Sequence, residues 1–204
     1  MRNKLLHIIG LLLCSGLCIA QVPAERLYEA WEKEDMSVWR HYLDSTQWGS
    51  LSLADQAKYL NYEYGYVALV ADGQVEDNKK ARIDTFATHL VSLRYYLQSA
   101  PYMAYRAAEC AFRAKCSTMD LIPMGLKAQR LISSAFKYDK KDPFALTVAG
   151  VLDFYTPPLF GGSRTRAMHY FKEASKYYEQ AGDTVNNWNY KMAKTADTFF
   201  VTKK

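Results

Sequence analysis

Apolar residues recur three and four positions apart through most of the chain, which is the pattern of amphipathic helices. The alternation that is typical of strands is almost absent. Pro101, Pro123 and Pro143 lie at or near expected helix starts, and Gly73 and Gly182 follow expected helix ends. The sequence therefore predicts an all-α fold of short antiparallel helices. The predicted segments are 24–34, 36–45, 51–72, 77–99, 101–116, 123–139, 143–155, 164–181 and 185–201.

Two of these segments, 123–139 and 164–181, carry the same apolar pattern. Five positions match between them at a constant offset of 39 residues. The tetratricopeptide repeat (TPR) has a period of about 34 residues and an A-x3-F pattern in its second helix, which AMHYF fits. The pattern predicts stacked helical hairpins, with the extra residues in the connector TPPLFGG. The matched positions are Ala128, Leu131, Ile132, Ala135 and Tyr138, then Ala167, Tyr170, Phe171, Ala174 and Tyr177.

The start of this connector is predicted to end a helix. Thr156 precedes a proline and is therefore disfavoured in the α region. Pro157 and Pro158 are expected to stay extended, since neither offers a backbone donor. The helix that contains Tyr155 should stop at that residue.

The end of the connector is predicted to reverse the chain. Gly161 and Gly162 permit a positive φ, and Ser163 can cap the next helix. Leu159 and Phe160 are then expected to pack back onto the helix pair. The segment is interpreted as a stiff connector between two helices.

A phosphate-binding loop is a poor alternative for this segment. A P-loop requires GxxxxGK[ST] after a strand, whereas here a helix precedes the glycines and no lysine follows Gly162. Arg164 and Arg166 lie at the start of a helix, where an anion can bind, although plain surface charge explains them as well.

The N-terminus has the layout of a signal peptide. Arg2 and Lys4 precede an apolar run over 5–13, and small residues up to Ala20 provide a cleavage site. The predicted organisation is a signal peptide over 1–20 and one helical domain over 21–204, in a periplasmic or secreted protein. A lipid anchor at Cys14 or Cys18 is the less favoured alternative.

The charge of the chain argues against nucleic acid as a partner. The full chain has 26 basic and 21 acidic residues, a net charge of +5. Removal of Arg2 and Lys4 leaves 24 basic residues against 21 acidic ones, hence +3. This small surplus is spread along the chain and does not form the dense basic stripe of a nucleic-acid-binding protein.

Cys110 and Cys116 are the two cysteines of the predicted domain. On one continuous helix they would lie about 9 Å apart along the axis and on different faces, which is beyond disulfide reach. Two buried thiols are the favoured interpretation, and a bridge would require the helix to end between them. Their spacing does not match a metal site.

The sequence contains no recognisable catalytic constellation, and an enzyme is not predicted. His41, His89 and His169 are isolated from one another and from any nucleophile. Glu63 and Asp153 lie among apolar residues, which can raise the pKa of a carboxyl group, but no sequence feature pairs them. No metal and no cofactor are predicted.

Tyrosine is unusually frequent, with 16 residues. Its large ring and polar tip suit both helix seams and ligand recognition. Tyrosines four apart, such as Tyr62 and Tyr66, are expected to form a core stripe. In adjacent pairs, such as Tyr95 and Tyr96, at least one member is expected to be exposed.

The C-terminal half resembles TPR-like proteins that bacteria export to the periplasm. The resemblance rests on KDPFALTVAGVLDFYTPPLFGGSRTRAMHYFKEA and on NNWNYKMAKTADTFF, and it is looser over residues 25–116. The proline-then-GG connector is also similar to the helical periplasmic subunit associated with TRAP-type solute transporters. The resemblance implies hairpins that stack as a short, irregular, right-handed TPR-like solenoid.

Two functions from different classes follow. The first is a non-enzymatic scaffold that binds another periplasmic or envelope protein. The second, implied by the transporter resemblance, is an accessory protein that binds a small organic solute. A pocket of Tyr155, Phe160, Trp188 and Tyr190, with Arg164 or Arg166 holding an organic acid, would favour the second function, and a shallow polar groove would favour the first. The candidate binding residues are Tyr155, Phe160, Gly161, Gly162, Arg164, Arg166, Trp188 and Tyr190.

The last predicted helix contains apolar residues such as Phe199 and Phe200, which are expected to be exposed. A terminal repeat without a cap exposes apolar surface. A homo-oligomer formed through this helix is therefore a further hypothesis.

Overall fold

The computed structural model describes residues 23–196 and residue 198. Within these residues the structure has nine α-helices, two short 3₁₀ turns and no strand, so the all-α prediction is confirmed. The helices are α1 (Ala24–Glu32), α2 (Met36–Ser45), α3 (Leu53–Ala71), α4 (Lys79–Ser92), α5 (Ser99–Ala114), α6 (Leu121–Tyr138), α7 (Pro143–Tyr155), α8 (Arg164–Ala181) and α9 (Trp188–Lys194). The turns cover Trp48–Ser50 and Pro158–Phe160.

The predicted segments and the helices agree closely, with two exceptions. The segment 77–99 is too long, because α4 ends at Ser92 and a turn region precedes α5. The last helix begins at Trp188, three residues later than predicted, because the Asn187 side chain accepts the Tyr190 backbone N–H there as a cap, and it ends at Lys194, short of the predicted 201. The predicted signal peptide, its two cysteines and both Phe199 and Phe200 lie outside the described residues.

The two hairpins of the repeat pattern form the most extensive helix pairs, α5 with α6 and α7 with α8. The Ala128, Ile132 and Ala135 stripe of α6 is buried, as is the Ala167, Phe171 and Ala174 stripe of α8. Small side chains let the helix backbones approach closely. Gly150 of α7 lets the Phe171 ring pack against the helix backbone, because a Cβ at this position would lie 2.7 Å from the ring. The matched position Tyr138 is instead 62% exposed, because α6 ends at that residue.

A cluster of indoles joins the last helix to the first three. The Trp188 ring packs edge-on against Trp39 at 5.7 Å between centroids, and its Nε1–H donates to Asn61 Oδ1 at 2.8 Å. Gly65 of α3 makes this contact possible, since a Cβ there would lie 2.7 Å from Trp39 and 2.9 Å from Trp188. The described helices therefore share one core that connects residues far apart in sequence.

Most of the tyrosines of α3 are structural. Tyr59, Tyr62, Tyr64 and Tyr66 are all buried, which confirms the expected core stripe. Burial raises the pKa of Tyr62 to about 12, because the charged phenolate is disfavoured away from water. Both members of the pair at positions 95 and 96 are exposed.

The two cysteines are both free, and α5 ends between them at Ala114. Cys110 is buried as expected, whereas Cys116 is exposed, which corrects the expectation that both are buried. Burial raises the pKa of the Cys110 thiol, so its reactive thiolate form is rare at neutral pH.

A thiol-reactive chromophore added to the native domain should therefore label one cysteine rapidly and the second only after unfolding. The Cys116→Ser variant should lose the rapid phase and keep the slow one. Rapid labelling of two thiols in the native protein would contradict the burial of Cys110.

Candidate functional site

The connector between α7 and α8 begins largely as predicted. α7 ends at Tyr155, and Thr156 and Pro157 are extended, with ψ of 127° and 147°. The prediction that Pro158 stays extended is wrong, because this residue starts the 3₁₀ turn Pro158–Phe160. Ser163 caps α8 by accepting the backbone N–H of Arg166.

The two glycines of the connector serve different purposes. Gly161 has φ +90°, which only glycine adopts readily. The prediction of a positive φ at Gly162 is wrong. A Cβ at Gly162 would instead lie 1.7 Å from the Thr156 carbonyl oxygen, so this glycine is required because the two ends of the connector pass very close to each other.

The arginines beside the connector are engaged with the protein itself. The Arg166 guanidinium donates to both carboxylate oxygens of Asp153 and, at 2.5 Å, to the Gly161 carbonyl. The Asp153 carboxylate raises the pKa of Arg166 further. Arg164 lies over the Phe154 ring, 5.1 Å from its centroid. Arg166 therefore fastens the connector to α7, which is a structural use of its charge.

Beside this connector is a cavity of about 590 Å³, here called the apolar groove. Its walls come from α3, α5, α6, α7 and the turn Pro158–Phe160. Alanines of α5, at positions 108, 111 and 114, leave the space that larger side chains would fill. The residues that form its outer rim are Leu121, Ile122, Leu126, Leu159 and Phe160.

The rim of the apolar groove exposes large apolar side chains. Leu159 is 88% exposed, so the expectation that it packs back onto the helix pair is wrong. Ile122 is 54% exposed, and Leu121, Leu126 and Phe160 are each about half exposed. Contiguous apolar side chains of this size at the mouth of a cavity are typical of a binding surface.

The polar groups of the apolar groove are few. Lys115 forms an ion pair with Asp72, and its ammonium lies 5.0 Å from the centroid of the Tyr155 ring. Gln129 Nε2 donates to the Phe160 carbonyl at 3.1 Å, which holds the turn against α6. A largely apolar wall with a few placed polar groups is the usual composition of a ligand site.

A second cavity, of about 400 Å³, lies on the other side of Tyr155 and is here called the tryptophan cavity. The two cavities share the wall residues Tyr64, Ala68, Asp72, Val151 and Tyr155. The aromatic residues that line the tryptophan cavity are Trp31, Trp39, Tyr64, Tyr155 and Trp188, and its charged residues are Glu32, Glu34, Asp72 and Lys191.

The structure distributes the predicted site residues over several places. Tyr155 lines both cavities, Phe160 lines the apolar groove and Trp188 lines the tryptophan cavity. Tyr190 lines neither, and its hydroxyl donates to Glu179 at 3.0 Å. The two cavities therefore do not form the single pocket of four aromatic residues that would favour a solute-binding accessory. Gly161, Gly162, Arg164 and Arg166 line neither cavity.

Sequence reasoning missed the α6 side of the apolar groove. The run LIPMGL at the start of α6 is more apolar than a helix with one buried stripe requires, and this excess is the available signal. Lys115 had no such signal, since its position beside Asp72 depends on the packing of α3 against α5.

A pair formed by a buried glutamate and a largely buried histidine lies outside both cavities. Glu63 of α3 accepts from His89 Nδ1 of α4 at 2.9 Å, and the imidazole stacks on Trp48 at 3.9 Å between centroids. Burial raises the pKa of Glu63, and His89 opposes this by stabilising the carboxylate. The pair joins α3, α4 and the turn Trp48–Ser50.

The described residues contain no group of three or more histidine, cysteine or acidic side chains arranged to hold a metal ion. No helix over the same residues is both long enough and apolar enough to cross a bilayer. Comparison with protein-family models, curated proteins and solved structures finds no match to this chain.

Proposed function

We propose that the protein is a non-enzymatic, exported, TPR-like binding protein, and that its apolar groove holds an amphipathic helix of a partner envelope protein. The repeat offset between α6 and α8 and the pairing of α5 with α6 and α7 with α8 support a short TPR-like stack of hairpins. Repeat proteins of this kind bind through a concave face.

The exposed rim of the apolar groove carries the proposal. A small molecule that stays within the cavity would leave Ile122 and Leu159 in contact with water. A helix laid across the mouth would cover both and place its own apolar side chains in the cavity, as in other helix-in-groove complexes. Burial of such side chains contributes about 25 cal/mol per Å² of apolar surface.

One helix of the groove wall, α6, carries only basic charged side chains, which favours an acidic partner helix. Lys127, Arg130 and Lys137 are the charged residues of α6, which has no acidic side chain within its bounds, and none of the three lines the cavity itself. Complementary charge speeds association and selects among partners. The partner helix is therefore expected to combine an apolar face with acidic flanks.

Two synthetic helices with the same apolar face, one with glutamates and one with lysines on its polar face, test this proposal. Fluorescence anisotropy should show that the acidic helix binds about tenfold or more tightly than the basic one, a difference of about 1.4 kcal/mol. The Ile122→Asp variant should weaken binding of the acidic helix, because it adds a buried unpaired charge.

Val185→Asp is the matched control, since Val185 is an exposed apolar residue that lines neither cavity. It should leave binding of the acidic helix unchanged. Failure of both helices to bind, or equal loss with both variants, would overturn the proposal.

The alternative is a small-molecule-binding accessory of a solute transport system. The volume of the apolar groove favours it, because cavities of about 300–1,000 Å³ are typical of small-ligand sites. Mass spectrometry of molecules released from the natively purified protein distinguishes the two: a stoichiometric apolar metabolite that Ile122→Asp abolishes would favour the accessory. A homo-oligomer formed through Phe199 and Phe200 remains a separate prediction. The molecular mass of the protein in solution tests it, and a monomeric mass at high concentration would contradict it.

A further inference from the structure

We infer that the tryptophan cavity is a second binding site, separate from the apolar groove, and that its ligand is an organic cation with an alkylated ammonium group. The cavity lies between α1, α2, α3, α7 and α9 and has a volume of about 400 Å³. The partner helix proposed for the groove would contact the opposite side of the shared wall.

The walls of the cavity are suited to a soft, positively charged group. Trp31, Tyr64, Tyr155 and Trp188 contribute aromatic rings, and the centroids of the two indoles lie 6.4 Å apart. Aromatic faces attract ammonium groups through the negative potential of the ring, and alkylated ammonium ions lose little hydration when they enter such a site. Met36 adds a polarisable thioether to the same wall.

The charges that line the cavity have the sign that such a ligand requires. Three carboxylates, those of Glu32, Glu34 and Asp72, lie in the wall with one ammonium group, that of Lys191. Lys191 is 3.5 Å from Glu32, and Asp72 also contacts Lys115 from the groove side. With both lysines counted, three carboxylates face two ammonium groups, so this set of side chains keeps a net negative charge.

Three helices also end at this cavity. α1 ends at Glu32, α3 ends just before Asp72 and α7 ends at Tyr155, and all three of these residues line the cavity. The C-terminal end of a helix carries a partial negative charge from its unpaired carbonyls. The backbone and the side chains therefore favour the same sign of ligand.

Glu34 has a backbone conformation that disfavours its own side chain. It lies directly between α1 and α2 with φ +56°, and its N–H donates to the Trp31 carbonyl while the next residue, Asp35, donates to Ala30. This closure of a helix usually employs glycine, because any Cβ is strained there. A glutamate at a strained position in the wall of a cavity places a carboxylate where a ligand can reach it, and strained residues are concentrated at functional sites.

Choline and 3,3-dimethylbutan-1-ol test the inference, because they have the same shape and differ in the charge of the central atom. Isothermal titration calorimetry at constant ionic strength should detect saturable binding of choline. The neutral alcohol should bind at least about tenfold more weakly. Choline should also change the intrinsic tryptophan fluorescence, since three of the four indoles line the cavity.

The Glu34→Gly variant separates binding from folding. It should weaken choline binding by about fivefold or more and leave the melting temperature equal or higher, because glycine relieves the positive φ. Glu34→Gln, which keeps the side-chain length, should weaken binding to a similar extent. Ile122→Asp, whose residue lines only the apolar groove, should leave choline binding unchanged.

Three results would overturn the inference. They are equal affinity for choline and the alcohol, no choline binding by the wild-type protein, and unchanged affinity in both Glu34 variants. None of them bears on the partner helix proposed for the groove, because the acidic helix and choline are measured separately.

Discussion

Replacement of Gly162 with alanine is expected to lower the free energy of unfolding by about 3 kcal/mol, which is large for the addition of one methyl group. The new Cβ would lie 1.7 Å from the Thr156 oxygen and 2.5 Å from its carbonyl carbon. Both are backbone atoms, so the contact can be relieved only if the connector itself shifts. In a domain of this size the melting temperature should fall by roughly 6–12 °C.

Gly125→Ala is the matched control. It adds the same methyl group in the interior of α6, where no atom beyond the adjoining helix backbone lies within 4 Å of the new Cβ. Alanine favours the helix over glycine, so this variant should be stabilised by up to about 1 kcal/mol. Thermal unfolding of both variants under the same conditions measures the difference; equal melting temperatures would show that the connector does not pass over Thr156 as described.

The connector shows how far local sequence reasoning reaches. The helix stop at Tyr155 and the Ser163 cap depend on residues within three or four positions, and both were predictable. The role of Gly162 depends on a carbonyl six residues away, and the two are brought together across the 3₁₀ turn. The local sequence therefore suggested a positive φ as the reason for glycine at position 162, and this explanation is incorrect.

The candidate sites were less predictable than the helices for the same reason. Periodicity predicts which face of a helix is buried, but the contact of Trp188 with Asn61 joins residues that are 127 positions apart. Both cavities depend on such contacts, because α3 forms a wall of each. Tyr155 and Phe160 can be singled out from the local sequence and do line cavities, whereas the division of the aromatic candidates between two cavities depends on the packing of Trp188 against α3.

The second large effect is expected at the buried pair of Glu63 and His89. The His89→Leu variant should lose about 3–5 kcal/mol of stability near neutral pH, because it leaves the Glu63 carboxylate buried without its partner. Leucine also removes the ring that stacks on Trp48, which adds to the loss. Urea unfolding followed by circular dichroism measures the change.

The dependence of this loss on pH identifies its cause. Burial already raises the pKa of Glu63 above 4.5, and removal of His89 removes an influence that lowers it. A carboxyl group whose pKa is raised in the folded state binds its proton more tightly there than in the unfolded chain, so the stability of the variant must fall as the pH rises above about 4.5. His89→Leu should therefore be closest to the wild-type protein in acid and furthest from it at neutral pH.

The Glu63→Leu/His89→Leu double variant separates the buried charge from the lost ring. It lacks both the carboxylate and the imidazole, so it should recover much of the stability at neutral pH and lose the dependence that Glu63 causes. His89 is absent from both variants, so its titration affects neither of them. The difference between their free energies of unfolding therefore depends on Glu63 alone. If the single and double variants had the same stability at every pH, the charge of Glu63 would not be the source of the loss, and the pair would matter only through the packing of His89 on Trp48.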